Sequence, residues 1–171
     1  MMTAATLANI LDNLGPVDNE PDVLYNWAIA YTAYMMESAV GGISPADASV
    51  FAACETAMKA AMVGISTTGL AASKIVAGVK AYWNAIAPAF ATIWITAPPL
   101  VSFTSIPTGV LTSGAELAFT NNLIAVFTAN TTGELSAVDA YAAVASVIHG
   151  NSSGAMVVQG PVPPGTPLPV L

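Results

Sequence analysis

The sequence carries too few charged side chains to cover a domain of its own size in the usual way. Thirteen of its 171 residues are formally charged at neutral pH, ten carboxylates and three lysines, with no arginine. A monomer of this mass exposes roughly 7,800 Å², so each charge has about 600 Å² to itself, against about 180 Å² in a domain of average composition. The 16 Thr, 12 Ser and nine Asn fill part of the gap. The rest of the surface is left to Ala, Val and Gly. Soluble monomers rarely show wide apolar areas unless a partner or a membrane covers them. The expected state is therefore a chain whose exterior is completed by neighbouring subunits.

The same composition excludes several classes. Disordered chains are apolar-poor and charge-rich, whereas 55% of these residues are hydrophobic. A net charge of −7 without arginine repels phosphate, so no nucleic-acid partner is expected. Cys54 is alone, which removes any disulfide framework within one chain. The N-terminal residues Met1, Met2 and Thr3 lack a positive region and a sustained apolar run follows only weakly, so no secretory signal peptide is expected.

Periodicity and punctuation predict a mainly α fold of about six helices in antiparallel hairpins. Residues 3–14 place Leu7, Ile10, Leu11 and Leu14 on one side before Gly15-Pro16. Residues 21–39 follow the acidic entry of Asp18, Glu20 and Asp22, with Ala28, Tyr31, Tyr34 and Met35 on adjoining stripes. Ser44, Pro45 and Asp47 mark the start of a third helix reaching residue 65, burying Cys54, Met58 and Ile65. A fourth, residues 70–95, presents Val76, Val79, Trp83, Ile86 and Phe90, with a row of small residues that includes Gly78; Pro88 is expected to kink or divide it. Ser113 and Glu116 have capping-box spacing for a fifth helix, and Thr131 and Glu134 repeat it for a sixth over residues 133–148, with Leu135, Val138, Ala142, Ala145 and Ile148 buried.

Two segments depart from this pattern. Pro98, Pro99 and Pro107 bracket an alternating run, which predicts a short extended or β segment near 97–111. The last 11 residues contain five prolines interleaved with Val and Leu, which cannot be helical and is pre-extended at low entropic cost. The expected division is a helical domain, 1–153, with a possible hairpin duplication around the Thr-Thr-Gly turns that end at Gly69 and Gly133, and an extended C-terminal arm, 154–171. Candidate interface residues are Leu100, Val101 and Phe103 in the connector, and Val157, Val158, Pro161, Val162, Pro164, Pro167, Leu168, Val170 and Leu171 in the arm.

The chemical inventory is thin. One His and one Cys cannot assemble a His/Cys metal site, and no cofactor or metal ligand set is expected. Residues 150–154 match G-x-S-x-G around Ser152, with His149 adjacent and Asp139 upstream. A nucleophile elbow needs a strand before it and a helix after it, whereas here a helix precedes and an extended tail follows. No catalytic residue is expected. Residues 75–97 are long enough to span a bilayer but contain Lys80, Asn84 and Pro88; a membrane-embedded or membrane-active protein using this stretch is the alternative reading.

Low-charge helices joined by Thr-Gly turns, with the proline-rich end at 161–171, resemble the small, Ala/Thr/Gly-rich, arginine-free structural proteins of tailed-phage virions, in tail, neck or baseplate. The likeness is one of general type, without a specific motif. It implies a non-enzymatic subunit present in many copies, assembled in the host cytoplasm into the virion, with copies of itself and other virion structural proteins as partners.

Overall fold

Among the described residues, six α-helices form where apolar residues recur at helical spacing between capping side chains and glycines. The computed structural model describes residues 3–15, 17–37, 48–66, 70–96, 113–152, 156–158 and 167–169. The helices are α1 (Ala4–Leu14), α2 (Glu20–Met36), α3 (Ala48–Met62), α4 (Ala71–Thr96), α5 (Ser113–Thr131) and α6 (Ala137–Ser152). Thr3 caps α1 by accepting the Thr6 N–H at 3.1 Å, and Asn19 caps α2 by accepting the Asp22 N–H at 3.0 Å. Glu20 and Asp22 lie in the first turn of α2, where the helix dipole favours negative charge.

Each helix packs on the next in sequence, and α6 returns to pack on α1, so the described helices close into a ring. The α3–α4 seam is the most extensive. Gly78 makes it possible: a Cβ at that position would lie 2.5 Å from Met62 Cγ and 3.2 Å from Met58 Cγ. The core inside the ring takes Leu7 and Leu11 from α1, Tyr31, Tyr34 and Met35 from α2, and Cys54, Met58 and Met62 from α3. Val79, Tyr82, Trp83 and Ile86 come from α4, Phe119 and Leu123 from α5, and Val144, Ala145 and Ile148 from α6. Polar contacts tie the rim. Glu20 at the start of α2 accepts the Gly64 N–H at 2.6 Å and the Ser66 hydroxyl beyond α3. Thr6 in α1 donates to Glu37 after α2 at 3.2 Å. Lys80 in α4 pairs with Glu116 in the first turn of α5.

Several sequence expectations need correction. The sixth helix starts later than Thr131 and Glu134 suggest, and its inward face is rotated. Gly133 sits at φ +77°, with its N–H on Asn130 and the Glu134 N–H on Ala129, the paired bonds that stop a helix at a left-handed glycine. Ser136 then caps α6 by accepting the Asp139 N–H at 3.2 Å. Val144, Ala145, Ile148 and Ser152 are buried, while Val138 is 61% exposed. α6 also continues past Ile148 to Ser152. Pro88 does not divide α4, which runs through it on an exposed position. The extended segment near 97–111 and the Ser44 cap lie outside the described residues. In the C-terminal segment, β1 (Met156–Val158) pairs antiparallel with β2 (Pro167–Pro169), so these two pieces fold back on each other instead of continuing as one extended arm.

Candidate functional site

Across the middle of the ring, α2 is tied to α4 and α6 by side chains alone, since these three helices do not pack directly on one another. Trp83 Nε1–H donates to the Tyr31 hydroxyl at 2.9 Å. That hydroxyl is also hydrogen-bonded, at 2.8 Å, to Ser152 Oγ at the end of α6, where either oxygen can donate. The Tyr34 hydroxyl is 2.8 Å from His149 Nδ1, and Tyr82 O–H donates to Thr32 at 3.1 Å. Tyr31 stands edge-on to Tyr82, with centroids 5.0 Å apart, and Tyr34 stands edge-on to His149 at 6.0 Å. Large rings fill the space that the helix backbones leave, and their polar ends meet one another, as burial of such groups requires.

The three tyrosine hydroxyls are held in neutral form. Burial pushes the Tyr31 hydroxyl well above the usual tyrosine range, aided by the neighbouring Tyr34, against the opposing pull of Ser152 and Trp83. Tyr34 and Tyr82 are raised chiefly by burial too. Burial pushes the Cys54 thiol up to about 11. Raised phenols and a raised thiol disfavour nucleophilic work at neutral pH.

The residues of the G-x-S-x-G match are not assembled for catalysis. Ser152 is fully buried at the end of a helix and bonded to Tyr31, whereas His149 bonds Tyr34. Asp139 lies at the other end of α6, accepting from Ser136 at 2.6 Å. Among the described residues, no group of three His, Cys, Asp or Glu side chains is placed to hold a metal ion.

The outer surface offers a different feature. In α5, among the residues whose side chains are described, Phe119 and Leu123 are the ones fully turned into the core. The opposite side is exposed at Leu117, Ala118, Asn121, Ile124, Ala125 and Thr128. Leu117 is 64% exposed and Ile124 46%. Beside this face, where α4 and α5 diverge, lies a groove of about 460 Å³ lined by Ala71, Ala72, Ile124, Phe127, Thr128 and Thr131. Thr128 and Thr131 donate to the Ile124 and Phe127 carbonyls at 2.9 and 2.8 Å, so their hydroxyls are engaged within the helix.

Of the interface residues expected from sequence, Leu100, Val101, Phe103, Pro161, Val162, Pro164, Val170 and Leu171 lie outside the described residues. Val157 is opposite Leu168 and Val158 opposite Pro167 in the β1–β2 pair. The polar network and the α5 face were not anticipated. A signal for the face exists: Leu117, Asn121, Ile124 and Thr128 recur at i, i+4, i+7 and i+11, opposite Phe119 and Leu123, a helix with two weakly polar sides. No family model, curated protein or solved structure matches the chain.

Proposed function

We propose that the protein is a non-enzymatic assembly subunit of a multi-copy particle, of the kind found in tailed-phage virions. The observation that carries this reading is the scarcity of charge on the surface. Thirteen charged side chains share 8194 Å² of accessible area, about one per 630 Å² where an average domain has one per ~180 Å². Exposed Leu117, Ile124, Val138, Val63 and Tyr25 lie on that surface. Water tolerates such an exterior poorly, and symmetric contacts between copies cover it without any added charge.

Two further points favour an assembly over an embedded protein. No described helix is long and apolar enough to cross a membrane. In the 75–97 stretch, Ile75, Val76, Val79, Trp83 and Ile86 are committed to the core of the ring. In this reading the 97–111 connector and the C-terminal segment reach neighbouring subunits through the residues that alternate with their prolines.

Electron microscopy of the purified full chain tests the proposal, with a truncation lacking residues 160–171 alongside. The full chain forms particles of regular size, and the truncated chain forms fewer while its circular dichroism is unchanged. A dispersed full-length chain that leaves no particles refutes the assembly role. Normal particles from the truncated chain refute the part given to the C-terminal segment.

A further inference from the structure

We infer that the outer face of α5 is a self-association surface on which a second copy of this chain docks its own α5 antiparallel across a two-fold axis. The inference rests on the assembly reading and assigns it a specific contact. At 100° per residue, Leu117, Asn121, Ile124 and Thr128 span about 60° of the helix circumference, directly opposite the buried Phe119 and Leu123. The stripe is symmetric about the point between residues 122 and 123. Antiparallel pairing therefore sets Leu117 of one copy over Thr128 of the other, and Asn121 over Ile124.

This register also matches knob to hole. Thr128 and Ile124 form one wall of the 460 Å³ groove beside α5. Side chains on a helix lean toward its N-terminus. In the antiparallel arrangement the Leu117 of one copy thus leans toward Thr131 of the other, into the groove. The two-fold axis fills both grooves at once, with Ala71 and Ala72 as a shallow floor that leaves room for a leucine.

The electrostatics favour a copy of the same chain over a charged partner. α5 carries one charged side chain, Glu116, and it is paired with Lys80. No like charges meet across the axis, and nothing on this face rewards a basic or acidic ligand. A 19-residue helix is ~28 Å long and ~12 Å wide, so two such faces with their groove walls bury on the order of 1,000 Å², the lower bound of a specific interface. A contact of that size holds when it is repeated in an assembly and exchanges when it stands alone.

Sedimentation velocity on the full chain, with Leu117→Glu and Ile124→Glu, tests this together with cross-linking. Both positions are exposed, so circular dichroism stays unchanged while self-association weakens roughly 100-fold. Asn121→Cys, near the axis, is joined by a short bis-maleimide, whereas Thr128→Cys is not, because antiparallel pairing separates the two copies of that position by about 16 Å along the helix. Cys54 is buried and does not compete. If the native chain associates but both glutamate variants do so equally, or Thr128→Cys cross-links as readily as Asn121→Cys, the α5 contact is wrong and the assembly reading stands. A native chain that stays monomeric overturns both.

Discussion

The Tyr31 hydroxyl joins three helices whose backbones do not pack on one another, so removing one oxygen atom measures how much that junction contributes. Tyr31→Phe keeps the ring and its edge-on packing against Tyr82. It deletes the acceptor that Trp83 uses at 2.9 Å and the hydrogen bond shared with Ser152 at 2.8 Å. Tyr31, Trp83 and Ser152 are all fully buried, so water cannot replace either bond. Each buried hydrogen bond lost with its partner left in place costs ~1–3 kcal/mol, so the loss of both puts the variant about 2–6 kcal/mol below the native chain. Against a typical stability of ~5–15 kcal/mol that is a large fraction. Urea denaturation followed by tryptophan fluorescence reads it as a lower midpoint with an unchanged slope. Tyr82→Phe, which loses the single bond to Thr32, is the internal comparison and costs about 1 kcal/mol. In a double-mutant cycle, Tyr31→Phe and Ser152→Ala couple by about 1 kcal/mol or more. A Tyr31→Phe chain within ~0.5 kcal/mol of native would refute the view that cross-ring hydrogen bonds, beyond packing, hold α2 against α4 and α6.

Three other outcomes follow from single features. The Ser66 hydroxyl and the Gly64 N–H lower the Glu20 carboxyl below 4.5; stability from this group is therefore present above pH 4.5 and fades as pH falls through the lowered folded value. Glu20→Gln flattens that acid limb in urea midpoints measured between neutral and acid pH. Tyr31, Tyr34 and Tyr82 bind their protons more tightly when folded than the 10.0 of a free phenol, so stability declines as pH rises past 10, and tyrosinate absorbance at these sites appears together with the loss of helical circular dichroism. Gly78→Ala forces Met62 out of its place on the α3–α4 seam and lowers stability by about 1–2 kcal/mol despite the better helix propensity of Ala. The same change in a Met62→Ala background reverses sign and stabilises.

Helix content was legible because Leu and aromatic residues marked direction. Leu7 and Leu11 in α1, Tyr31, Tyr34 and Met35 in α2, and Val79, Trp83 and Ile86 in α4 all lie in the core that their spacing predicts. Direction was lost where Ala dominates. In α6 both Ala142 and Ala145 suit an inward face, and the sequence pattern chose a stripe containing Val138. The structure keeps Ala145 and Ile148 of that stripe in the core, exposes Val138 and Ala142, and buries Val144 and Ser152 in their place, with Tyr141 packed alongside. The start of α6 failed for a related reason: Thr131/Glu134 and Ser136/Asp139 share one spacing, and the left-handed turn at Gly133 decides between them. Ser152 sits in a run of Gly and Ser, yet it is a buried hydroxyl whose partner, Tyr31, lies 121 positions away in the sequence. Contacts at that separation leave no local trace. The α5 face went unread because one helix with two apolar sides looks, in sequence, like a helix with a broad single side.

The mass of the full chain in solution, followed by sedimentation over rising protein concentration in low and high salt, tests the central claim most directly. Charge-poor contacts are not screened by salt and strengthen in sulfate. The expected result is a species heavier than the 17.3 kDa chain that grows with concentration and persists or increases at high salt. A single 17.3 kDa species throughout the series would show that this surface is stable in water alone and would contradict the account.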